Sequence, residues 1–425
     1  MKRRALFFAF VFPMLTTTLP AAEVALPAHF YFRPGSTVRP GILQVLPTTA
    51  FSAETGYGYE PGSPPTYYFS SVPGGDYPPV FFSVALAEGN YRVKVGLGGG
   101  MDAVTTVKAE QRRLMVEQVK SAICQYAVRT FIVNVRTPRI APGVEVKLKA
   151  RERETETLQW DDKLTLEFGG MRPGLLMLDI EKADVPTLFL LGDSTVCDQP
   201  GEPYASWGQM LPRFFKPEIA VANYAESGES LRSSFGARRL EKVASLLKAG
   251  DTVLIQFGHN DEKEKGEGVG AFTTYKASLR QYVAEVKKHG AQAVLVTPVQ
   301  RRTFEKDGTL RNSHGDYPEA VRRAAAEENV PFIDLHALST KLYETLGPEK
   351  SGALFKPGDG THHSNYGAYE VARCVVEGLR ATRLPLVKSL AEDVPPFDPA
   401  HPDDAAAFSL PASPPPHAAE TPLGN

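Results

Sequence analysis

A serine that attacks an ester carbonyl needs a base to take its proton, a group to orient that base, and donors for the oxyanion that forms. The chain offers a candidate for each part. Ser194 stands in Gly192-Asp193-Ser194, directly after the apolar run Leu188–Leu191. Taken alone, such a triplet is also an ordinary strand-to-helix turn, in which Gly, Asp and Ser serve backbone geometry and capping. The run Asp359-Gly360-Thr361-His362-His363-Ser364 sets a carboxylate three residues ahead of an imidazole. A loop of that length brings Asp359 to Nδ1 of His362 and leaves Nε2 free to take a hydroxyl proton. The alternative is a helix entry carrying surface histidines. The compact spacing favours His362 as base, with His363 either a wall of the site or a group behind it.

Three donors for the oxyanion follow the same pattern. One is the backbone N–H of Ser194. A second is the N–H of Gly228, in Ala225-Glu226-Ser227-Gly228-Glu229-Ser230, where a side chain would obstruct a substrate. The third is the side-chain amide of Asn260, in Gly258-His259-Asn260-Asp261 after the run Ile255-Gln256-Phe257. An ordinary turn glycine and a turn-capping asparagine are the alternatives for the last two. Asp193 is read as shaping the turn, with Asp359 the better orienter.

These residues need a scaffold that delivers them to one edge. From Val185 onward, strand and helix patterns alternate. The strands are expected at Leu188–Leu191, Ala220–Tyr224, Thr252–Phe257, Ala293–Thr297 and Phe332–Asp334, and the helices at Ala205–Phe215, Gly236–Lys248, Phe272–Lys288, Asp316–Glu328 and Asn365–Leu379. In Phe272–Lys288 the residues Tyr275, Leu279, Tyr282, Val283 and Val286 share one helical face, and Ser364 is a natural N-cap for the last helix. Such alternation predicts an α/β domain over residues 185–390, a parallel sheet covered on both faces, whose carboxyl edge gathers the chemistry.

Residues 23–184 read as β-structure. Period-two alternation marks Tyr91–Val95 and Leu164–Phe168, further apolar runs occupy Val80–Val84, Thr130–Val135 and Leu175–Ile180, and Gly/Pro clusters separate them. This predicts an antiparallel β-sandwich, jelly-roll-like, as an accessory domain. It looks like the galactose-binding-like modules attached to carbohydrate enzymes. Tyr57, Tyr59, Tyr67, Tyr68 and Phe69 are either a sugar-stacking face or sandwich core with loop tyrosines.

Composition bounds the rest. The 425 residues are 42% hydrophobic and 23% charged, with a net charge of −2. No basic field favours nucleic acid. Met1-Lys2-Arg3-Arg4, the apolar Ala5–Leu15 and the small pair Ala21-Ala22 form a signal-peptide pattern over 1–22, so the protein is expected to be secreted or periplasmic. That run is too short to span a membrane, and no later one suffices. Cys124, Cys197 and Cys374 match no zinc pattern, and no metal or cofactor is expected. Cys124 and Cys374 sit among apolar neighbours and are read as buried. Residues 391–425, rich in Pro, Ala and Asp, are read as a disordered tail.

Taken in order, Gly192-Asp193-Ser194, Gly228, Gly258-x-Asn260-Asp261 and Asp359-x-x-His362 resemble the four blocks of the SGNH (GDSL-like) hydrolase superfamily. Trp207-Gly208, Thr297-Pro298-Val299-Gln300-Arg301-Arg302, Gly315-Asp316-Tyr317-Pro318 and Ile333-Asp334-Leu335 resemble its rhamnogalacturonan acetylesterase branch. The resemblance spans about 186–384 and implies a flavodoxin-like, three-layer SGNH fold. It further implies Ser194 as nucleophile, His362 as base, Asp359 as orienter, and an oxyanion hole of Ser194, Gly228 and Asn260. The implied activity is removal of O-acetyl groups from a plant cell-wall polysaccharide, pectic rhamnogalacturonan first. The rivals are an esterase of the same superfamily acting on acetylated xylan or another acyl ester, and a non-catalytic carbohydrate-binding protein. Arg301 and Arg302 argue for a charged or hydroxyl-rich ligand over a lipid.

Overall fold

The computed structural model describes residues 21–414 apart from 34, 36, 37, 62 and 64–76. Most of the expected signal peptide, Tyr67, Tyr68, Phe69 and residues 415–425 therefore lie outside the described residues.

The first half is a sandwich of two sheets. Its strands are β1 (Ala28–Tyr31), β2 (Leu43–Gln44), β3 (Tyr57–Tyr59), β4 (Tyr77–Ala85), β5 (Gly89–Gly98), β6 (Ala103–Ala109), β7 (Arg113–Ser121), β8 (Tyr126–Val135), the short pair β9 (Arg139–Ala141) and β10 (Val144–Glu145), then β11 (Lys163–Met171) and β12 (Leu175–Lys182). One sheet has the order β2-β1-β12-β5-β8, the other β3-β4-β11-β6-β7. All pairs in both are antiparallel except β1 with β2. The period-two pattern is the cause: Tyr91, Val93, Val95 and Leu97 of β5 and Leu164, Leu166 and Phe168 of β11 all enter one shared core. Tyr59 is buried in it, and Tyr57 packs edge-on against Phe30 at 5.1 Å. These two tyrosines belong to the sandwich core and not to a sugar-stacking face.

The second half is a five-stranded, all-parallel sheet of β13 (Thr187–Gly192), β14 (Ala220–Asn223), β15 (Thr252–Gln256), β16 (Gln292–Val296) and β17 (Phe332–Ile333), in the order β14-β13-β15-β16-β17. Alternate residues face opposite layers. Leu188, Leu190, Leu254, Val294 and Val296 join one core with the helix Asn365–Thr382. Phe189, Leu191, Val253, Ile255, Ala293 and Leu295 join the other, with the helices Lys276–Lys288 and Tyr317–Glu327. This is the doubly wound, three-layer arrangement, and its strand order reverses between β13 and β15, where the edge opens a crevice.

Several expected elements take a different form. The helix expected over Gly236–Lys248 is the shorter Arg239–Leu246, set off from a preceding helix Leu231–Gly236 that was not expected, because Arg238 adopts the left-handed conformation at φ 65°. The helix expected over Ala205–Phe215 is a single turn, Trp207–Met210, followed by a 3₁₀ turn, Leu211–Phe214, that carries Pro212. Phe272–Lys288 opens as a π-turn, Ala271–Tyr275. A further helix, Leu335–Lys350, was not expected, although Asp334 caps it through the N–H of Ala337. Cys124 is exposed, not buried: it sits at φ 60° in the β7–β8 turn beside an equally exposed Ile123, where apolar neighbours in sequence do not make an apolar environment.

Residues 391–414, read from composition as part of a disordered tail, pack as a strap across both halves. Phe397 is buried under Arg373, whose guanidinium carbon lies 4.0 Å from the ring centroid. Phe408 sits against Tyr366 and Tyr369. Ser413 donates to Glu167 at 2.7 Å and accepts from Lys108 at 2.7 Å. Few apolar residues suffice because each aromatic meets a preformed ring or cation. No helix among the described residues is long and apolar enough to cross a membrane.

Candidate active site

The site is built at the carboxyl ends of β13, β14 and β15. Gly192 ends β13 where a Cβ would lie 2.5 Å from Val196 and 2.7 Å from the Gln256 carbonyl, so only glycine lets the chain turn there. Asp193 then shapes the turn. Its carboxylate accepts from the Thr195 N–H at 2.9 Å and the Thr195 hydroxyl at 2.7 Å, and its carbonyl takes the N–H groups of Val196 and Cys197. A line of buried side chains fixes Thr195 in turn: Trp207 Nε1 donates to Gln256 at 2.8 Å, and Gln256 donates to Thr195 at 2.7 Å. Burial pushes the Asp193 carboxyl up, but His259, whose Nδ1 lies 3.3 Å away, and the Thr195 donors outweigh it and hold the group below its ordinary range. Burial also holds His259 down to about 4, which leaves a carboxylate beside a neutral imidazole.

This turn presents Ser194 to the loop before the last helix. Ser194 Oγ lies 2.9 Å from His362 Nε2, and His362 Nδ1 lies 3.0 Å from Asp359 Oδ2. The other Asp359 oxygen accepts the backbone N–H groups of Thr361 at 2.7 Å and His362 at 3.0 Å. Burial raises the Asp359 carboxyl, yet the His362 ring and these backbone donors dominate and hold it well below the usual carboxylate range. An ionised Asp359 fixes the proton on Nδ1, so Nε2 faces the serine as an acceptor. The loop is braced by Arg302, whose N–H donates to the Gly360 carbonyl at 2.8 Å.

The second histidine is in different surroundings. His363 is fully buried, stacks on Phe355 at 4.8 Å and meets the Tyr343 hydroxyl at 2.7 Å, and burial pushes its imidazole down to about 3. It is a neutral packing group beneath the loop. His362, not His363, faces Ser194.

The other expected donors converge on the same edge. Gly228 is half-buried at φ 74°, in the left-handed region, in the turn after β14. Asn260 donates one amide hydrogen to the Glu229 carbonyl at 3.0 Å, which ties the loop after β15 to the loop after β14. The Gln199 side-chain amide joins the loop after β14 to the Ser194 turn: it donates to the Ser194 carbonyl at 2.7 Å and reaches Ser227 Oγ at 3.5 Å.

Arg301 and Arg302 already have protein partners, Glu262 for the first and Ser351 and Gly360 for the second. Among the described residues, Glu152, Glu156 and Glu226 bring buried carboxylate oxygens within 4.8 Å of one another. Arg239 pairs with Glu152 at 2.7 Å, and Arg151 pairs with Glu156 and lies 3.7 Å from Glu226, so arginines supply the cationic charge there.

Sequence reasoning missed the residues that arrive from the sandwich. Arg112, at φ 60° in the turn between β6 and β7, donates to the Gln199 carbonyl at 3.1 Å, the Tyr204 carbonyl at 2.9 Å, and Glu202 and Asn365, each at 3.1 Å. Tyr204 in turn sets its ring edge-on to His362, with centroids 6.0 Å apart. Arg113 pairs with Asp198 at 2.7 Å, both side chains being buried. No local spacing marks these contacts.

The profile of the GDSL-like Lipase/Acylhydrolase family matches residues 190–368. Rhamnogalacturonan acetylesterase RhgT of Bacillus subtilis (strain 168) is 40% identical over 214 residues, 47% of this chain and 91% of its own. The esterase YxiM of the same organism is 29% identical over 304 residues, 70% of this chain and 74% of its own. A rhamnogalacturonan acetylesterase of Emericella nidulans is 28% identical over 208 residues, 44% of this chain and 81% of its own. With an SGNH fold, a serine and histidine in contact at the switch point of the sheet, and relatives of this kind, the chain belongs to the GDSL-like (SGNH) hydrolase superfamily and is a carboxylic ester hydrolase.

Proposed function

We propose that the protein is a carbohydrate acetylesterase that removes O-acetyl groups from a plant cell-wall polysaccharide, pectic rhamnogalacturonan in first place, outside the cytoplasm. The observation that supports the chemistry is the hydrogen-bonded line Ser194–His362–Asp359. His362 takes the Ser194 proton as the hydroxyl oxygen attacks the acetyl carbonyl. The N–H groups of Ser194 and Gly228 and the second amide hydrogen of Asn260 receive the oxyanion. His362 then protonates the departing sugar hydroxyl, and water repeats the cycle to free acetate. The substrate class is supported by the relatives named for rhamnogalacturonan.

The test is acetate release from acetylated rhamnogalacturonan, pectin and xylan by the protein and its Ser194→Ala variant. Release that is fastest from rhamnogalacturonan and lost in the variant is expected. Release from xylan alone would replace the substrate, and a fully active variant would remove the mechanism.

A further inference from the structure

Lys149 lies outside the parallel-sheet domain, as the N-cap of the short helix Ala150–Glu154. Its ammonium donates to the carbonyl of Ser227. That carbonyl belongs to the same peptide unit as the Gly228 N–H. A peptide whose oxygen accepts from a cation is polarised along its length and becomes a stronger N–H donor. We infer that Lys149 is a positioning residue for the oxyanion: it aims and polarises the Ser227–Gly228 peptide. The inference rests on the proposed roles of Ser194 and Gly228.

The surroundings show a turn held from several sides. Arg239, fully buried, donates to Glu229 Oε1 at 2.7 Å and to Glu152 Oε2 at 2.7 Å. The same Glu152 oxygen accepts the Lys149 backbone N–H at 2.8 Å, so one carboxylate sets both the arginine and the start of the lysine's helix. Asn260 holds the Glu229 carbonyl, and the Lys147 N–H bonds to the carbonyl of Ala237, which ends the helix Leu231–Gly236 that follows this loop, so the segment carrying Lys149 is tied to the next element as well. Lys149 Nζ also lies 4.0 Å from Glu229 Oε1. Arg239 and Glu152 are locked in the interior, whereas the Lys149 side chain is 29% exposed. Removing its charge therefore perturbs the donor peptide without opening the core. The φ of 74° at Gly228 makes the contact consequential, because a left-handed glycine has wide conformational freedom and needs an outside restraint to keep one N–H direction.

The experiment uses the full chain with Lys149→Met, which keeps the stem and deletes the charge, and Lys149→Arg, which restores a charged donor. The readouts are kcat and KM on 4-nitrophenyl acetate, the rate of Ser194 phosphorylation by diethyl 4-nitrophenyl phosphate, and Tm. Lys149→Met should lower kcat about tenfold with KM unchanged, slow phosphorylation by the same factor and leave Tm in place. Lys149→Arg should recover most of the rate. Combined with Asn260→Ala, the loss should fall short of the product of the single losses, because both hold one turn.

A normal kcat in Lys149→Met overturns the inference. So does a rise in KM for an acetylated acidic polysaccharide with kcat intact, which would make Lys149 a substrate contact. Should Lys149→Met lower Tm, Lys149→Gln, which keeps a polar head without the charge, takes its place under the same criteria. Ser194→Ala and Asn260→Ala run beside these variants. If Ser194→Ala still turns over, the underlying mechanism fails; if both lose activity while Lys149→Met does not, only the role of Lys149 fails.

Discussion

The two halves of this molecule bury period-two strands by the same rule but leave their loops in different states. In the sandwich, one buried charge pair is closed off away from the Ser194 edge: Lys108 and Glu167 face each other at 3.3 Å and are capped by Pro411 and Ser413 of the strap. In the parallel-sheet domain, the strands all end at one edge, and the loops there carry the polar side chains that meet around Ser194. That edge is not held by its own domain alone. Arg112 and Arg113 brace the segment after Ser194, and Lys149 braces the turn after β14, all from the N-terminal side of the chain. The contrast teaches that the N-terminal half contributes cations to the loops around Ser194, so the accessory half also holds this edge of the sheet.

Beyond Ser194 and His362 themselves, the largest effect expected inside the edge is from Asn260→Ala, a fall in kcat of about 10²–10³, as for one oxyanion donor, with the fold unchanged by circular dichroism. A loss under threefold would move the donors elsewhere and weaken the contrast. Next comes Arg112→Met. It strips the bonds to Gln199, Tyr204, Glu202 and Asn365 and leaves Glu202 with a single donor, Asn365. Urea unfolding should show a loss of about 2–4 kcal/mol, reduced from the fully buried case because Glu202 is partly exposed, and kcat should fall as well. Unchanged kcat would return the sandwich to a separate role.

Asp261 gives a smaller effect with a definite sign. One of its oxygens accepts the Leu231 N–H at 2.9 Å, the other is buried with no partner among the described residues, and burial pushes the carboxyl up to about 8. The unfolded chain loses that proton near pH 4 while the folded chain keeps it to about 8, so stability drains away as pH rises across this window. Asp261→Asn imitates the protonated acid. It should be more stable than the parent by on the order of 1–3 kcal/mol at pH 7 and equal to it near pH 4, measured by thermal unfolding at both values. The smallest effect on catalysis is expected from His363→Phe. It orphans the buried Tyr343 hydroxyl at a stability cost of about 1–3 kcal/mol while leaving kcat within a few-fold. His362→Asn should instead match Ser194→Ala.

Much of the edge was legible because its signals are short. Asp359 and His362 are three residues apart and close their bond within one loop, and Ser194 follows its strand at once. The strands were legible because alternate residues feed two different cores. The helix breaks were not: Arg238 carries no residue-type signal for a positive φ, and the break is set by what Leu231–Gly236 and Arg239–Leu246 pack against. The helix Leu335–Lys350 went unread although Leu335, Leu342 and Tyr343 share a buried face, because the short strand before it and Pro348 near its end obscured the periodicity. Cys124 and the 391–414 strap failed for one reason, since composition reports what a segment contains and not what it meets.

By itself, then, the sequence determined the period-two strands, the strand–helix alternation and the short loops bearing Ser194, Asn260 and Asp359–His362, because each is set by interactions between near neighbours. Tertiary structure decided which imidazole faces the serine, by burying His363 against Phe355 and Tyr343. It also decided that the sandwich reaches the site. Arg112 meets Gln199 across 87 positions of the chain, and Lys149 meets Ser227 across 78. Over such separations no spacing rule operates, and only the packing of one domain on the other brings the charges to the loops they hold.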